Sequence, residues 1–288
     1  MLTVDCNNTT NLTHSERYSP VKGQWASAGS TIVQLPDLTS SGGGSHEIGP
    51  ALVRPDGTVW YTGATGHSSF FNPATGEWTA GPDFPNVGGQ LDIADGPGAL
   101  EPSGTVLVAT SPGVFNPPSH FFEYSDAGGL VEVTAPAGAT GKTSYEYRLI
   151  VLPTGQIMET DGSSSVQIYT PVGNPDPSWA PAVTTVASSL TRGTTYGLKG
   201  TQLNGLSEAG AYGDDAQAST NYPLVRVTNN ASGHVQYFRA HDGNSRSIAP
   251  GAKGKVRFDV PATAETGASS LVVVANGIAS NPVAVTIN

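Results

Sequence analysis

One unit recurs along the front of this chain: an apolar run, then Pro-x-Gly, then a second apolar run. It occurs as Ala51-Leu52-Val53-Arg54-Pro55-Asp56-Gly57-Thr58-Val59-Trp60 and as Gly98-Ala99-Leu100-Glu101-Pro102-Ser103-Gly104-Thr105-Val106-Leu107. The third copy is Leu149-Ile150-Val151-Leu152-Pro153-Thr154-Gly155-Gln156-Ile157-Met158. Each copy predicts a β-hairpin, because Pro presets φ near −65° and Gly supplies the positive φ of a tight turn. A second motif keeps step with the first: an aromatic residue, a turn, and often a Trp. Tyr18 leads to Trp25, Phe71 to Trp78 and Tyr169 to Trp179, with Tyr124 between them. A period of about fifty residues that holds two hairpins predicts about four short strands per repeat, the arrangement of a β-propeller blade.

Helical repeats are excluded as the alternative. No window sustains a 3.6-residue apolar period, and Gly or Pro interrupts nearly every candidate. The chain carries 36 Gly and 22 Pro in 288 residues, and only 12% of it is charged. That composition suits short strands and many turns rather than long amphipathic helices. The blades run over residues 1–186: three full ones plus a partial first that holds Tyr18 to Trp25, four in all with a fifth allowed. From residue 187 the rhythm changes. The segments 222–227, 234–239, 255–260, 270–275 and 282–287 read as strands separated by Gly, Asn, Pro and Ser turns, which predicts an immunoglobulin-like β-sandwich over 187–288.

The blades resemble kelch repeats. The tail, from Gly200-Thr201-Gln202-Leu203-Asn204-Gly205 through Ser270 to Gly277, resembles the C-terminal immunoglobulin-like domain of galactose oxidase-like kelch proteins. The resemblance implies an all-β chain of kelch-like propeller blades followed by that sandwich. In the copper radical oxidases of the superfamily, a Tyr-His pair enters an inner strand, a tail loop supplies a second His, and a Tyr crosslinked to Cys completes the site. Here Tyr145 keeps the Tyr, Glu146 stands where the copper His would be, and His241 matches the tail His. Cys6 precedes all the blades, a position that does not match the crosslinked Cys of those oxidases. Copper radical chemistry is therefore not expected, since Cu(II) prefers imidazole nitrogen.

If each inner strand begins a few residues before its Pro-x-Gly, the positions facing a propeller axis are His46 and Glu47, Asp92 and Asp95, and Tyr145 and Glu146, with His241 joining from the tail. Glu47, Asp92, Asp95 and Glu146 would then form an acidic ring, and a hard divalent cation such as Ca²⁺ would relieve its repulsion. Two function classes follow. One is an extracellular module that binds a small molecule or a glycan, with a cation at the acidic axis. The other is a calcium-dependent hydrolase of lactone or phosphate esters, in which Glu146 or His241 acts as general base and Tyr145 lies beside them. The same acids also serve turns and water in chains that bind nothing. Gly213-Asp214-Asp215 reads as a turn rather than a calcium loop.

A net charge of −10 argues against a nucleic-acid partner, which needs clustered Lys and Arg. No segment has the ~20 apolar residues that span a bilayer, so no membrane insertion is expected. The single Cys6 excludes an internal disulfide and a Cys-rich zinc site. N-x-S/T sequons occur at Asn7, Asn8, Asn11 and Asn230, as chance allows in a chain so rich in Ser, Thr and Asn; low charge, abundant Thr and the abrupt start suggest a secreted or periplasmic protein seen without its leader, or a fragment. Nothing in the residues predicts an oligomeric state.

Overall fold

The computed structural model describes residues 2–38, 45–208, 210–213 and 220–288, and the backbone alone of 216–218. Asp214 and Asp215 of the Gly213 turn lie outside the described residues. The chain is all-β. Among the described residues, helix is confined to three 3₁₀ turns: Ala139–Gly141, Ser144–Glu146 and Pro177–Trp179.

All three Pro-x-Gly units form hairpins built to one pattern. The amides of Gly57, Gly104 and Gly155 donate to the carbonyls of Arg54, Glu101 and Leu152, each at 2.9 Å. The three glycines hold φ of 86°, 90° and 85°, which L side chains rarely adopt. The flanking strands then pair antiparallel at Val53 with Val59, Leu100 with Val106 and Val151 with Ile157.

The strands make four sheets before the tail. The first holds Leu2–Val4, His14–Ser19 and Gln24–Ser30. The second holds Ile48–Val53, Val59–Gly63, Ser68–Asn72 and Glu77–Ala80. The third runs through Pro97–Leu100, Val106–Pro112, His120–Ser125 and Gly129–Val133, with the two-residue strand Leu91–Asp92 beside Val106–Pro112. The fourth holds Arg148–Val151, Ile157–Thr160 and Val166–Tyr169.

Burial alternates with period 2 along the fourth sheet, whereas the central strands of the second and third are buried on both faces. Val4, Leu35, Tyr61, Phe71 and Trp78 form a core between the first two sheets. Trp60, Phe122, Tyr147, Leu149 and Ile157 belong to a larger core that joins the second, third and fourth. Trp60, fully buried, lies 4.7 Å from the Tyr124 ring and 6.2 Å from Phe70, centroid to centroid. Of the aromatics that the repeats carry, Phe71, Tyr124 and Tyr169 pack into these cores, and Tyr18 packs on Trp25 of its own sheet at 5.3 Å.

The propeller expectation is overturned. The described sheets form no closed ring, and no strand pairing joins the fourth to the first. Only the second is a self-contained four-stranded unit. The first and fourth have three strands, and the third is extended by Gly210–Tyr212 and Ala216–Ala218 from the tail, with Gly210 opposite Ala99 and Tyr212 opposite Pro97. The assignment to galactose oxidase-like kelch proteins falls with the propeller. A fifty-residue period reports a succession of hairpins and aromatic contacts, and these are local; closure is a long-range property that the period does not encode.

The tail is a sandwich of two sheets. One orders Ala182–Thr185, Thr195–Thr201, Lys253–Asp259 and Ala240–His241. The other orders Ser189–Leu190, Val283–Ile287, Gly267–Ala275, Leu224–Asn229 and Val235–Phe238. Leu198, Val225, Phe238, Phe258, Leu271 and Val273 fill the space between them. The Trp179 segment makes no hairpin. Asp176 caps its 3₁₀ turn by accepting from the Ser178 amide at 2.8 Å, and the Trp179 ring covers Gly104, where a Cβ would come within 2.7 Å of it. Gly277 likewise seats against Gly155, whose Cα would lie 2.7 Å from an added Cβ. Two repeat-turn glycines therefore also seat later segments, Gly104 the Trp179 turn and Gly155 the tail at Gly277.

Candidate functional site

The expected axial residues do not form one cluster. Asp92 is buried on its short strand opposite Ser111. Its Oδ1 has no hydrogen-bond partner among the described residues. Burial pushes its carboxyl up to about 8; a backbone hydrogen bond from Ala94 opposes this, and the charge of Asp37 adds to it. Asp37 is buried too and accepts from the Ser45 amide at 3.3 Å. Glu47 is tied into the same loop through its backbone, its carbonyl accepting from the Asp37 amide at 3.2 Å. Asp95 holds a φ of 51° and lies against Gly213, where a Cβ would meet its Oδ1 at 2.6 Å. His46 is exposed, with Nδ1 2.8 Å from the Cys6 carbonyl.

Glu146 is used elsewhere. It caps the Ser144–Glu146 turn by accepting from the Thr143 amide at 2.8 Å and pairs with Lys142 at 3.1 Å. Burial raises its carboxyl, but the Thr143 hydrogen bond and Lys142 outweigh that and hold it below the ordinary value. Tyr145 is exposed at the surface, edge-on to Phe115 at 5.1 Å, and its carbonyl accepts from the Tyr212 hydroxyl at 2.9 Å. His241 stays on its sandwich strand, with Nε2 3.1 Å from Asp259 and Nδ1 3.0 Å from Asp242. Among the described residues, no three His, Cys, Asp or Glu side chains gather to hold a metal ion. The acids named for calcium do not fit one site, and of the residues named for copper Tyr145 and Glu146 share one turn while the His241 ring nitrogens face Asp242 and Asp259.

The structure brings other groups together. A cleft of about 240 Å³ opens on the sandwich. Tyr222, Asn204, Asp242, Arg246 and Lys255 line it. The Tyr222 hydroxyl donates to the Ala240 carbonyl at 3.1 Å, which fixes the ring. The loop bearing Asp242 and Arg246 is pinned where the Lys255 amide donates to Asn244 Oδ1 at 2.7 Å and the Asn244 amide donates to the Lys255 carbonyl at 3.0 Å. A wider groove of about 530 Å³ runs between the first Pro-x-Gly turn and the tail loop at Arg246–Pro250, floored by Leu206. A third cleft, of about 200 Å³, lies between the third and fourth sheets, with Glu159 on its wall.

No protein-family model matches the chain, and no curated protein sequence matches it. Among solved structures it is similar to the extracellular domain of the two-component-system protein BT3049 of B. thetaiotaomicron, at 12% identity and a TM-score of 0.34, over 96% of this chain and 35% of that one. It is also similar to domains 4–9 of the surface-layer protein SbsC, at 13% identity and a TM-score of 0.19, over 71% of this chain and 29% of that one. The Escherichia coli adhesin FdeC is similar at 11% identity and a TM-score of 0.25, over 100% of this chain and 98% of that one. The chain spans about a third of the length of the first two. None of the three reaches the similarity that assigns a fold.

Three buried acids were missed in the sequence: Asp37, Glu101 and Glu159. Glu159 shares the inward face of its strand with Ile157, a position that alternation reserves for apolar residues. Glu101 is buried beside Glu123, and burial together with that neighbour pushes it up to about 8. Glu123 accepts in turn from the Tyr169 hydroxyl. A carboxylate at an apolar position of an alternating strand was the available signal for Glu159. The glutamate of Thr143-x-x-Glu146 was likewise a readable capping pattern.

Proposed function

We propose that this chain is an exported, non-catalytic binding module, and that the cleft on its immunoglobulin-like tail holds a hydroxyl-rich ligand of the glycan class. The observation that carries the reading is the makeup of that cleft. A tyrosine ring fixed through its own hydroxyl stands beside Asn204, Asp242, Arg246 and Lys255 in about 240 Å³. A sugar offers an apolar C–H face to such a ring and alternating donors and acceptors to the groups around it. Arg246 and Lys255 add a preference for a sugar that carries a carboxylate. Export is supported by the low charge and the polar, Thr-rich composition.

The test is titration of the full chain with maltotetraose, chitotetraose and a galacturonate tetramer. At least one should bind with a Kd on the order of 0.1–1 mM, and Tyr222→Ala should weaken it tenfold or more. Binding by none, or equal binding by Tyr222→Ala, would refute the reading.

A further inference from the structure

The cleft between the third and fourth sheets is a second, chemically distinct site. Glu159 lies on the strand Ile157–Thr160, opposite Leu149 on one side and Gln167 on the other. It is only 4% exposed, yet neither carboxylate oxygen has a hydrogen-bond partner among the described residues. A buried acceptor left unpaired costs about 1–3 kcal/mol, and more when charged, so this position is unfavourable unless something fills it. The wall around it is apolar and aromatic: Leu107, Phe121, Val133, Pro136, Leu149 and Tyr169. Lys142, the cation whose charge acts on Glu159, is committed elsewhere, since it bonds Glu146 at 3.1 Å and the Asp161 carbonyl at 3.2 Å.

We propose that this cleft binds a small organic ammonium ion, with Glu159 as its counter-ion. A carboxylate at the wall takes the charged head, aromatic faces favour a cation, and aliphatic side chains cover its carbon body. The volume of about 200 Å³ is below the range of roughly 300–1,000 Å³ for drug-sized ligands, so one short alkyl chain fits. The ligand is either a free amine or the side chain of a lysine on another protein. The groups that face Glu159 electrostatically are Asp161, Lys142 and the buried Tyr147, and Tyr169, whose hydroxyl donates to Glu123, also lines the cleft. Burial, with Asp161 adding to it and Lys142 opposing, pushes the Glu159 carboxyl up to about 6. It is mostly ionised at pH 7, and protons compete with the cation below that.

The experiment titrates the full chain with n-butylammonium, 1-butanol and Nα-acetyl-lysine amide while the Glu159 carboxyl carbon is followed by NMR. Butylammonium should bind at least tenfold more tightly than butanol, move that carbon, and lose about tenfold in affinity between pH 7.5 and pH 5. Glu159→Gln should abolish the preference for the amine, with Glu159→Met as a second variant if the amide fails to fold. Binding of acetyl-lysine amide as tightly as butylammonium identifies a partner's lysine as the source; tighter butylammonium binding identifies a free amine. Equal binding of butanol and butylammonium, or a Glu159 carbon that neither amine moves, overturns the proposal, and the wild-type titrations alone decide this.

Discussion

Asp92→Asn should stabilise this protein at neutral and alkaline pH and leave it unchanged in acid. Asp92 is 3% exposed, its Oδ1 is unpaired among the described residues, and its carboxyl is pushed from 3.8 to about 8. In that interval the native state holds a proton that the unfolded chain releases, so stability falls as pH rises, by about 1.4 kcal/mol per pH unit. The interval of about four units gives a ceiling near 6 kcal/mol at pH 8, and relaxation around a charged Asp92 should leave about half of that. Asn fills the same space, still accepts from Ala94 and never ionises. With about 2 °C in Tm per kcal/mol for a chain of this size, Asp92→Asn should melt roughly 5–10 °C above wild type at pH 8 and level with it at pH 4. Thermal melts at half-unit steps of pH measure this directly. A difference between the two proteins that is the same at pH 4 and pH 8 would refute the burial argument.

Other perturbations test the packing. Trp60→Ala empties the contact with Phe70 and Tyr124 and should cost about 3–5 kcal/mol in urea unfolding. Gly277→Ala forces a Cβ against Gly155 at a φ of 73°; it should lower Tm by several degrees, whereas Gly57→Ala, where a Cβ meets nothing within 4 Å, should cost only the φ penalty of about 1 kcal/mol. Asn276→Ala removes side-chain bonds to the Ser207 carbonyl at 2.8 Å and its Oγ at 3.0 Å. It should cost about 1–3 kcal/mol by equilibrium unfolding.

The parts of the fold legible in the sequence were the local ones. Pro55-Asp56-Gly57 and its two copies specify φ and a donor pattern at single residues, and the hairpins follow from that. Phe71 and Trp78 pair across one turn and pack at 5.0 Å, within reach of pattern reading. That the sheets would not close into a ring was not legible, because closure needs the fourth sheet to pair with the first, which it does not, and because Gly210–Tyr212 instead pairs with Pro97–Leu100, contacts far apart in sequence. The acids failed for a related reason. Glu47, Asp92, Asp95 and Glu146 were grouped by their distance from a repeat turn, and that grouping assumed an axis. Without the axis, Glu146 becomes a cap and Asp92 a buried acid whose carboxyl is pushed up by burial. Tyr222, Arg246 and Lys255 reach one cleft from separate tail segments, and no spacing along the chain announces them.

The measurement closest to the central claim is amide mapping of the full chain during titration with whichever of the three oligosaccharides binds. The account predicts that the amides of Asn204, Tyr222, Gly243 and Lys255 shift together and saturate with one Kd, while the Glu159 cleft stays still. Shifts that gather around other residues, or none at saturating sugar, would contradict it.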